Sequence, residues 1–252
     1  RRQRQMCIRD SHRPMKLVFY YIYFFLIAAP LLLVITILAA LLTIIGSALG
    51  GGRIFGYYPG AIWGRLFCIL SLVRVTIHGR DKISTGQSYV FIANHQGAYD
   101  IFSIYGYLGH NFRWMMKKSL ERIPLVGYSC KVSGHIFVDN SSPSAVRATM
   151  QAAEQRLAGG MSVVIFPEGS RTLDGRMHAF RRGAFTLAVE FGLPVVPITI
   201  DGAYKILRRG SLLPQPGRIK LTIHDPIEAP EGGRHELADL MDKSYKAIAS
   251  AL

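Results

Sequence analysis

The run SYVFIANHQGAYD, residues 88–100, joins an uninterrupted apolar stretch to a cluster of polar side chains. Positions 89–93 carry no charge and show no polar alternation, the pattern of a short strand buried on both faces rather than one wetted on one side. A strand over 88–95 is therefore predicted. It ends on Asn94 and His95, Gly97 supplies a break, and a helix is predicted over 98–108. The same alternation continues downstream and upstream. Strands are predicted at 73–79, 112–118, 135–139, 161–169, 193–200 and 218–226, with helices at 143–158, 180–191 and 232–251. Apolar strands alternating with helices give an α/β fold, a mostly parallel mixed sheet covered by helices.

In such a sheet, ligands bind beyond the carboxyl ends of the strands. Asn94 and His95 end one strand; Pro167, Glu168 and Gly169 end another. With a helix starting near Ala98, Asp100 falls in its first turn and can reach back to the His95 ring. A carboxylate on Nδ1–H fixes the tautomer and leaves Nε2 free as a general base. Taken alone, one His and one Asp at this spacing describe a structural hydrogen-bonded histidine about twice as often as a catalytic one. No GxSxG elbow occurs, and neither Ser119 nor Ser170 has the spacing of a nucleophile, so the proton to be removed belongs to a substrate hydroxyl. The second cluster, IFPEGSRTLDG, places Glu168 and Arg171 on a turn made by Pro167 and Gly169. Its backbone N–H groups and guanidinium suit an anion, and Glu168 could accept from substrate hydroxyls. An exposed turn is the ordinary account of a lone PEG sequence. Two such clusters, each ending an apolar strand, call for one shared pocket.

Upstream lies different material. From Leu17 to Gly52 the chain has no charged residue, and a run of this length is expected to be membrane-embedded. It is too long for one upright span, so a tilted helix or a helical hairpin is expected, with Pro30 and Gly46, Gly50, Gly51 and Gly52 as bend and stop points. Residues 58–75 show helical apolar spacing that fits either an interfacial helix or one packed on the domain. The expected organisation is an excluded tail at 1–11, whose RRQRQMCIRDS resembles adaptor-derived sequence, a membrane anchor at 12–57 and one domain at 58–252. Basic residues flank the apolar run on both sides, Arg13 and Lys16 before it and Arg53, Arg65 and Arg74 after it. That favours a hairpin with both ends on the cytoplasmic side of an inner membrane. The formal charge of +14 is not gathered into a nucleic-acid-type run and suits acidic substrates. Cys7, Cys68 and Cys130 show no metal-ligand spacing and no disulfide framework.

NHQGAYD (94–100) with FPEGSR (166–171) resembles the glycerolipid acyltransferase family, in particular bacterial 1-acylglycerol-3-phosphate acyltransferases, whose paired signatures are NHxxxxD and FPEGxR. RWMMKKSLERIPLVGYSCKVSGHIFVD (113–139) and PVVPITI (194–200) resemble the family's other blocks. The resemblance covers roughly residues 73–200. It implies a glycerol-3-phosphate acyltransferase-like fold with His95 as base and Asp100 as its orienter. Asn94, Lys117, Glu168, Gly169 and Arg171 would then line the substrate site. It further implies lysophosphatidic acid as acceptor, acyl-CoA or acyl-acyl carrier protein as donor, no metal or other cofactor, and transfer at the membrane. One position departs from the pattern: Asn140 stands where the family usually carries an arginine. Loss of that guanidinium removes roughly 1.5–3 kcal/mol of charge-assisted bonding unless Lys118, Arg147 or Arg181 replaces it. That leaves another lyso-lipid or a lipid-linked hydroxyl open as the acceptor, and a lipase or thioesterase as the alternative activity.

Overall fold

Seven strands form one sheet: β1 Val73–His78, β2 Val90–Ala93, β3 Phe112–Lys117, β4 Ile136–Val138, β5 Ser162–Ile165, β6 Val195–Asp201 and β7 Gly217–Ile223. They lie in the order β1-β7-β6-β2-β5-β3-β4. Every neighbouring pair is parallel except β6 and β7. The computed structural model describes residues 15–139, 141–158, 160–230 and 234–252. The expectations placed on residues 1–11, Cys7, Arg13 and Asn140 lie outside these described residues.

Each of the seven strands predicted from the sequence is present, and β2, at the centre, shows why they were readable. All four of its residues are buried. Phe91 and Ala93 point into an apolar cluster on one face, and Val90 and Ile92 into a second cluster on the other. The first cluster is closed by α2 (Tyr58–Leu70) and α3 (Tyr99–Tyr107), which contribute Cys68, Tyr99, Ile104 and Tyr105. The second is closed by α5 (Pro143–Ala158), α6 (Gly183–Glu190) and α8 (Arg234–Ala249), through Ala153, Phe185, Leu187, Leu240 and Ile248. Two short helices complete the domain: α4, Val126–Val132, and α7, Ala203–Ile206. Neither was visible as an apolar repeat.

The N-terminal run forms a helical hairpin whose arms differ from those expected. Its first arm, α1, spans residues 15–46. Pro30 does not turn it. A π-turn at Phe24–Ala28 precedes the proline, with Ala29 N–H donating to the Phe24 carbonyl, and this wider turn lets the helix continue past a residue that has no N–H to donate. The reversal comes at the glycines: Gly50 sits at φ +88°, a conformation that side-chain-bearing residues avoid. The returning arm is α2. Tyr20 and Tyr23 donate to the carbonyls of Ser71 and Leu70 at 3.2 and 3.1 Å, and Trp63 Nε1 donates to Thr36 Oγ1 at 2.9 Å. The apex is fixed to the sheet by Arg113, which is buried and donates to the Gly52 carbonyl at 3.2 Å and to Asn111 Oδ1 at 2.8 Å. On its far side α2 crosses α3 almost backbone on backbone. A Cβ at Gly64 would stand 2.8 Å from the Phe102 carbonyl and 3.1 Å from Gly106 N.

Only one stripe of α1 is covered, at Tyr20, Ala28, Leu32, Ala40, Thr43 and Gly46. Phe19, Leu26 and Leu33 are 67%, 73% and 63% exposed. Residues Met15–Phe55 average a hydropathy of 2.9 over their most apolar window, long and apolar enough to cross a membrane. An uncovered apolar surface of this extent marks a lipid-facing or interaction surface.

Candidate active site

The carboxyl ends of β2, β5 and β3 lie side by side. Extending the pairings Ile92↔Ile165 and Trp114↔Val164 by two or three residues sets Asn94, Pro167 and Lys117 level across the sheet. His95 stands one step beyond. Helix α3 begins at Tyr99, so Asp100 occupies its first turn, where a carboxylate also opposes the positive end of the helix dipole. Asp100 Oδ2 lies 2.8 Å from His95 Nδ1 and accepts from the backbone N–H groups of Gln96 at 2.6 Å and Gly97 at 2.8 Å. Three donors thus converge on one fully buried carboxylate oxygen. They concentrate its charge against Nδ1, which must carry the ring proton to donate. That leaves Nε2 as the basic nitrogen.

The ring is held from below as well. Phe166, the residue before the Pro-Glu-Gly turn, stacks on His95 with centroids 3.9 Å apart and planes 8° from parallel, and Trp114 stacks beneath Phe166 at 5.5 Å. Pinned between a carboxylate and an aromatic face, the imidazole keeps one orientation while 13% of its side chain reaches solvent. Phe166 and Trp114 were missed by sequence reasoning. The signal available was an aromatic side chain ending the β5 apolar run one position before the turn.

Two expected ligand-binding residues turn out to be structural. Asn94 is fully buried, and both halves of its amide are engaged by one residue: Nδ2 donates to the Ile200 carbonyl and Oδ1 accepts from Ile200 N–H, each at 2.8 Å. It closes the gap between the ends of β2 and β6, and its complete burial keeps it from a substrate. Glu168 is likewise buried. One of its oxygens accepts from His95 N–H at 2.7 Å and the other from His178 N–H at 2.8 Å. Its carboxyl clamps the histidine-bearing loop to the segment after β5 instead of reaching for substrate hydroxyls. Burial pushes its pKa above the usual carboxylate range, against the lowering effect of those two N–H groups. A third tie, Thr172 N–H to the His95 carbonyl at 2.9 Å, completes the clamp.

Gly169, Arg171 and Lys117 are on the same edge. Gly169 adopts φ +77°, and a Cβ there would run into the Arg181 guanidinium, so the absent side chain makes room for that cation over the turn. Lys117 and Arg181 are exposed and Arg171 half-buried. Among the described residues none of the three has a carboxylate within ion-pairing distance. The edge therefore offers a positioned base beside uncompensated positive charge. Among the described residues there is also no group of three His, Cys, Asp or Glu side chains placed to hold a metal ion.

Comparison with known proteins identifies the family. The acyltransferase family profile matches residues 74–201, which include His95, Asp100 and the whole Pro-Glu-Gly turn. A 1-acyl-sn-glycerol-3-phosphate acyltransferase of Chlamydomonas reinhardtii is 33% identical over 71% of this chain and 53% of its own length. A chloroplastic enzyme of the same name from Arabidopsis thaliana is 30% identical over 75% and 55%, and one from Helicobacter pylori 28% identical over 71% and 76%. The chain spans a little over half the length of the algal and plant relatives it matches. The crystal structure of the 1-acyl-sn-glycerophosphate acyltransferase from Thermotoga maritima shares the fold, with a TM-score of 0.78 over 95% of both chains at 24% identity. With the family profile covering just over half of its residues and the His95–Asp100 pair lying inside that match, this chain belongs to the acyltransferase family.

Proposed function

We propose that the protein transfers a fatty acyl group from an acyl thioester, acyl-CoA or acyl-acyl carrier protein, to the sn-2 hydroxyl of 1-acylglycerol-3-phosphate, giving phosphatidic acid at a membrane surface. The observation that carries this reading is the His95 ring with Nδ1 committed to Asp100 and, among the described residues, no partner on Nε2, on an edge that also carries Lys117, Arg171 and Arg181 without ion-pair partners among those residues. Nε2 takes the proton of the acceptor hydroxyl as its oxygen attacks the thioester carbonyl, forming a tetrahedral adduct. Collapse of the adduct breaks the C–S bond, and the leaving thiolate receives the proton from the imidazolium. Arg171, Lys117 and Arg181 supply the charge that holds the acceptor phosphate, Arg181 standing in for the cation that Asn140 does not provide. The names of the relatives from three organisms support lysophosphatidic acid as the acceptor. The apolar hairpin supports a lipid-embedded substrate and membrane association.

A hydrolase would also use a His–Asp pair, but its covalent form needs a nucleophile on the protein. Among the described residues no Ser, Thr or Cys side chain hydrogen-bonds to the His95 ring. Burial raises Cys68 to a pKa of about 12 and Cys130 to about 11, which removes both as thiolates at neutral pH. The discriminating experiment presents the purified protein with a panel of lysolipids and both donor types. Phosphatidic acid formation that requires lysophosphatidic acid is expected. Arg171→Ala should raise the apparent KM of phosphorylated acceptors about tenfold or more while sparing neutral ones, since a charge-assisted contact contributes roughly 1.5–3 kcal/mol. Equal effects on both acceptor classes would remove the phosphate role.

A further inference from the structure

The catalytic edge carries a feature that acyl transfer does not use. Two loops fence His95. One follows β5 and reaches it through Thr172. The other follows α7, where Gly97 pairs with Arg208 and Ala98 N–H donates to the Leu207 carbonyl at 3.3 Å. The loops are tied to each other: Tyr204 Oη donates to the Leu173 carbonyl at 2.8 Å, and Arg209 Nη1 to the Arg171 carbonyl at 3.3 Å. At their tips Leu173 is 70% exposed, Leu212 91% and Leu213 40%. Leu212 stands almost wholly uncovered on an anchored loop, and none of the described residues packs over it.

Its surroundings say what covers it. Arg176, Arg208 and Arg209 are exposed and, among the described residues, none is ion-paired. Asp174, in the same loop, accepts from Thr172 Oγ1 at 2.7 Å and from Arg176 N–H at 3.0 Å, and lies 3.7 Å from His178 Nε2. The α7–β7 loop ends beside the apolar hairpin: Gly217 pairs with Val73, Gly217 N–H donates to the Leu72 carbonyl, and Tyr20 of α1 donates to Ser71. Apolar tips, three exposed arginines with no ion-pair partner among the described residues and continuity with a lipophilic helix match an anionic bilayer, whose headgroups attract Lys and Arg and whose acyl region accepts leucine.

We propose that the Leu173 and Leu212–Leu213 loop tips are a second membrane-contact element, seating the mouth of the His95 site in the headgroup layer while Arg176, Arg208 and Arg209 meet lipid phosphates. This rests on the membrane reading of the hairpin and is independent of the acyl donor and acceptor. The test uses the full chain with Cys7 and Cys130 replaced by Ser, leaving buried Cys68 in place, and a single environment-sensitive fluorophore on Leu212→Cys. A second protein carries the label on Thr85→Cys, in the loop before β2 at the opposite edge of the sheet. Both are reconstituted into phosphatidylcholine vesicles containing phosphatidylglycerol and lipids with quenchers in the acyl chain. The expected result is a blue-shifted emission and several-fold stronger quenching at 212 than at 85. Adding Arg208→Gln and Arg209→Gln should raise the phosphatidylglycerol fraction needed for half-maximal quenching at 212. If vesicle-bound protein shows equal, water-like signals at 212 and 85, or if the arginine changes leave the anionic-lipid dependence untouched, the proposal is overturned. Because the readout involves no catalysis, failure here and failure of the acyl-transfer reading are distinguishable.

Discussion

His95 gains its function from what restrains it. The Asp100 oxygen that meets Nδ1 also collects two backbone N–H groups, so the carboxylate builds the turn and orients the ring with one atom. Asp100→Asn keeps one acceptor but replaces charge by a neutral amide behind the imidazolium. Turnover should drop roughly 10³- to 10⁴-fold with the fold intact, as steady-state rates and circular dichroism on the same preparation would show. Glu168 acts one step back. Replacing it by Gln turns one acceptor oxygen into a donor facing either His95 N–H or His178 N–H, which loosens the loop. A fall in kcat of up to about 10²-fold is expected, with the acceptor KM little changed, because the residue places the base and does not touch the acceptor. A rise in KM at constant kcat would instead return Glu168 to the binding surface. The sequence showed His95 and Asp100 as a pair because their partnership is local, five positions apart within one turn. It could not show the destinations of Asn94 and Glu168. Asn94 meets Ile200, 106 positions away, and whether a polar side chain at a strand end faces a ligand or a neighbouring backbone is decided by such distant partners.

At the scale of elements, the strands were legible because parallel strands covered on both faces leave unbroken apolar runs, as in β2 and β6. The hairpin was only half legible. Composition marked a bend-rich apolar run, but a proline preceded by a π-turn need not bend a helix, and the second arm, α2, owes its place to a glycine crossing with α3 that no periodicity encodes. One inter-strand contact gives the domain a pH signature. His135, buried just before β4, accepts on Nδ1 from Trp114 N–H of β3 at 3.2 Å and faces Tyr105 Oη with Nε2 at 3.3 Å. Protonating Nδ1 would set two donors against each other. Burial, followed by the nearby Arg113 and Arg156 charges, pushes its pKa down to about 3. The unfolded chain therefore binds this proton first. The site's contribution to stability is intact above pH 6.5 and is lost progressively as pH falls from 6.5 towards about 3. The limiting slope is about 1.4 kcal/mol per pH unit. Denaturant midpoints of wild type and His135→Gln should diverge at pH 7 and approach each other near pH 5. Parallel curves would show that the folded imidazole takes up its proton as readily as the unfolded one.

Across the whole molecule, the hairpin runs the height of the sheet, from Ser71 at the catalytic edge to Arg113 at the opposite one, and so places His95 beside the most apolar surface of the chain. Under the proposed function the base would meet a lipid hydroxyl without the lipid leaving its layer, and the nearby arginines, which have no ion-pair partner among the described residues, would draw anionic headgroups and an acidic donor to the same end. A shallow cavity of about 280 Å³ on the outer face of β1 and β7, lined by Arg74, Asp201, Arg218 and Lys220, includes none of the residues of this site. The central claim is that His95 activates a lipid hydroxyl for attack on a thioester. Its most direct measurement is thioester consumption by purified wild-type and His95→Ala protein, with and without lysophosphatidic acid. Consumption should require the acceptor, match phosphatidic acid formed one for one, and vanish in His95→Ala. Thioester loss at an undiminished rate without acceptor, or retained transfer in His95→Ala, would contradict it.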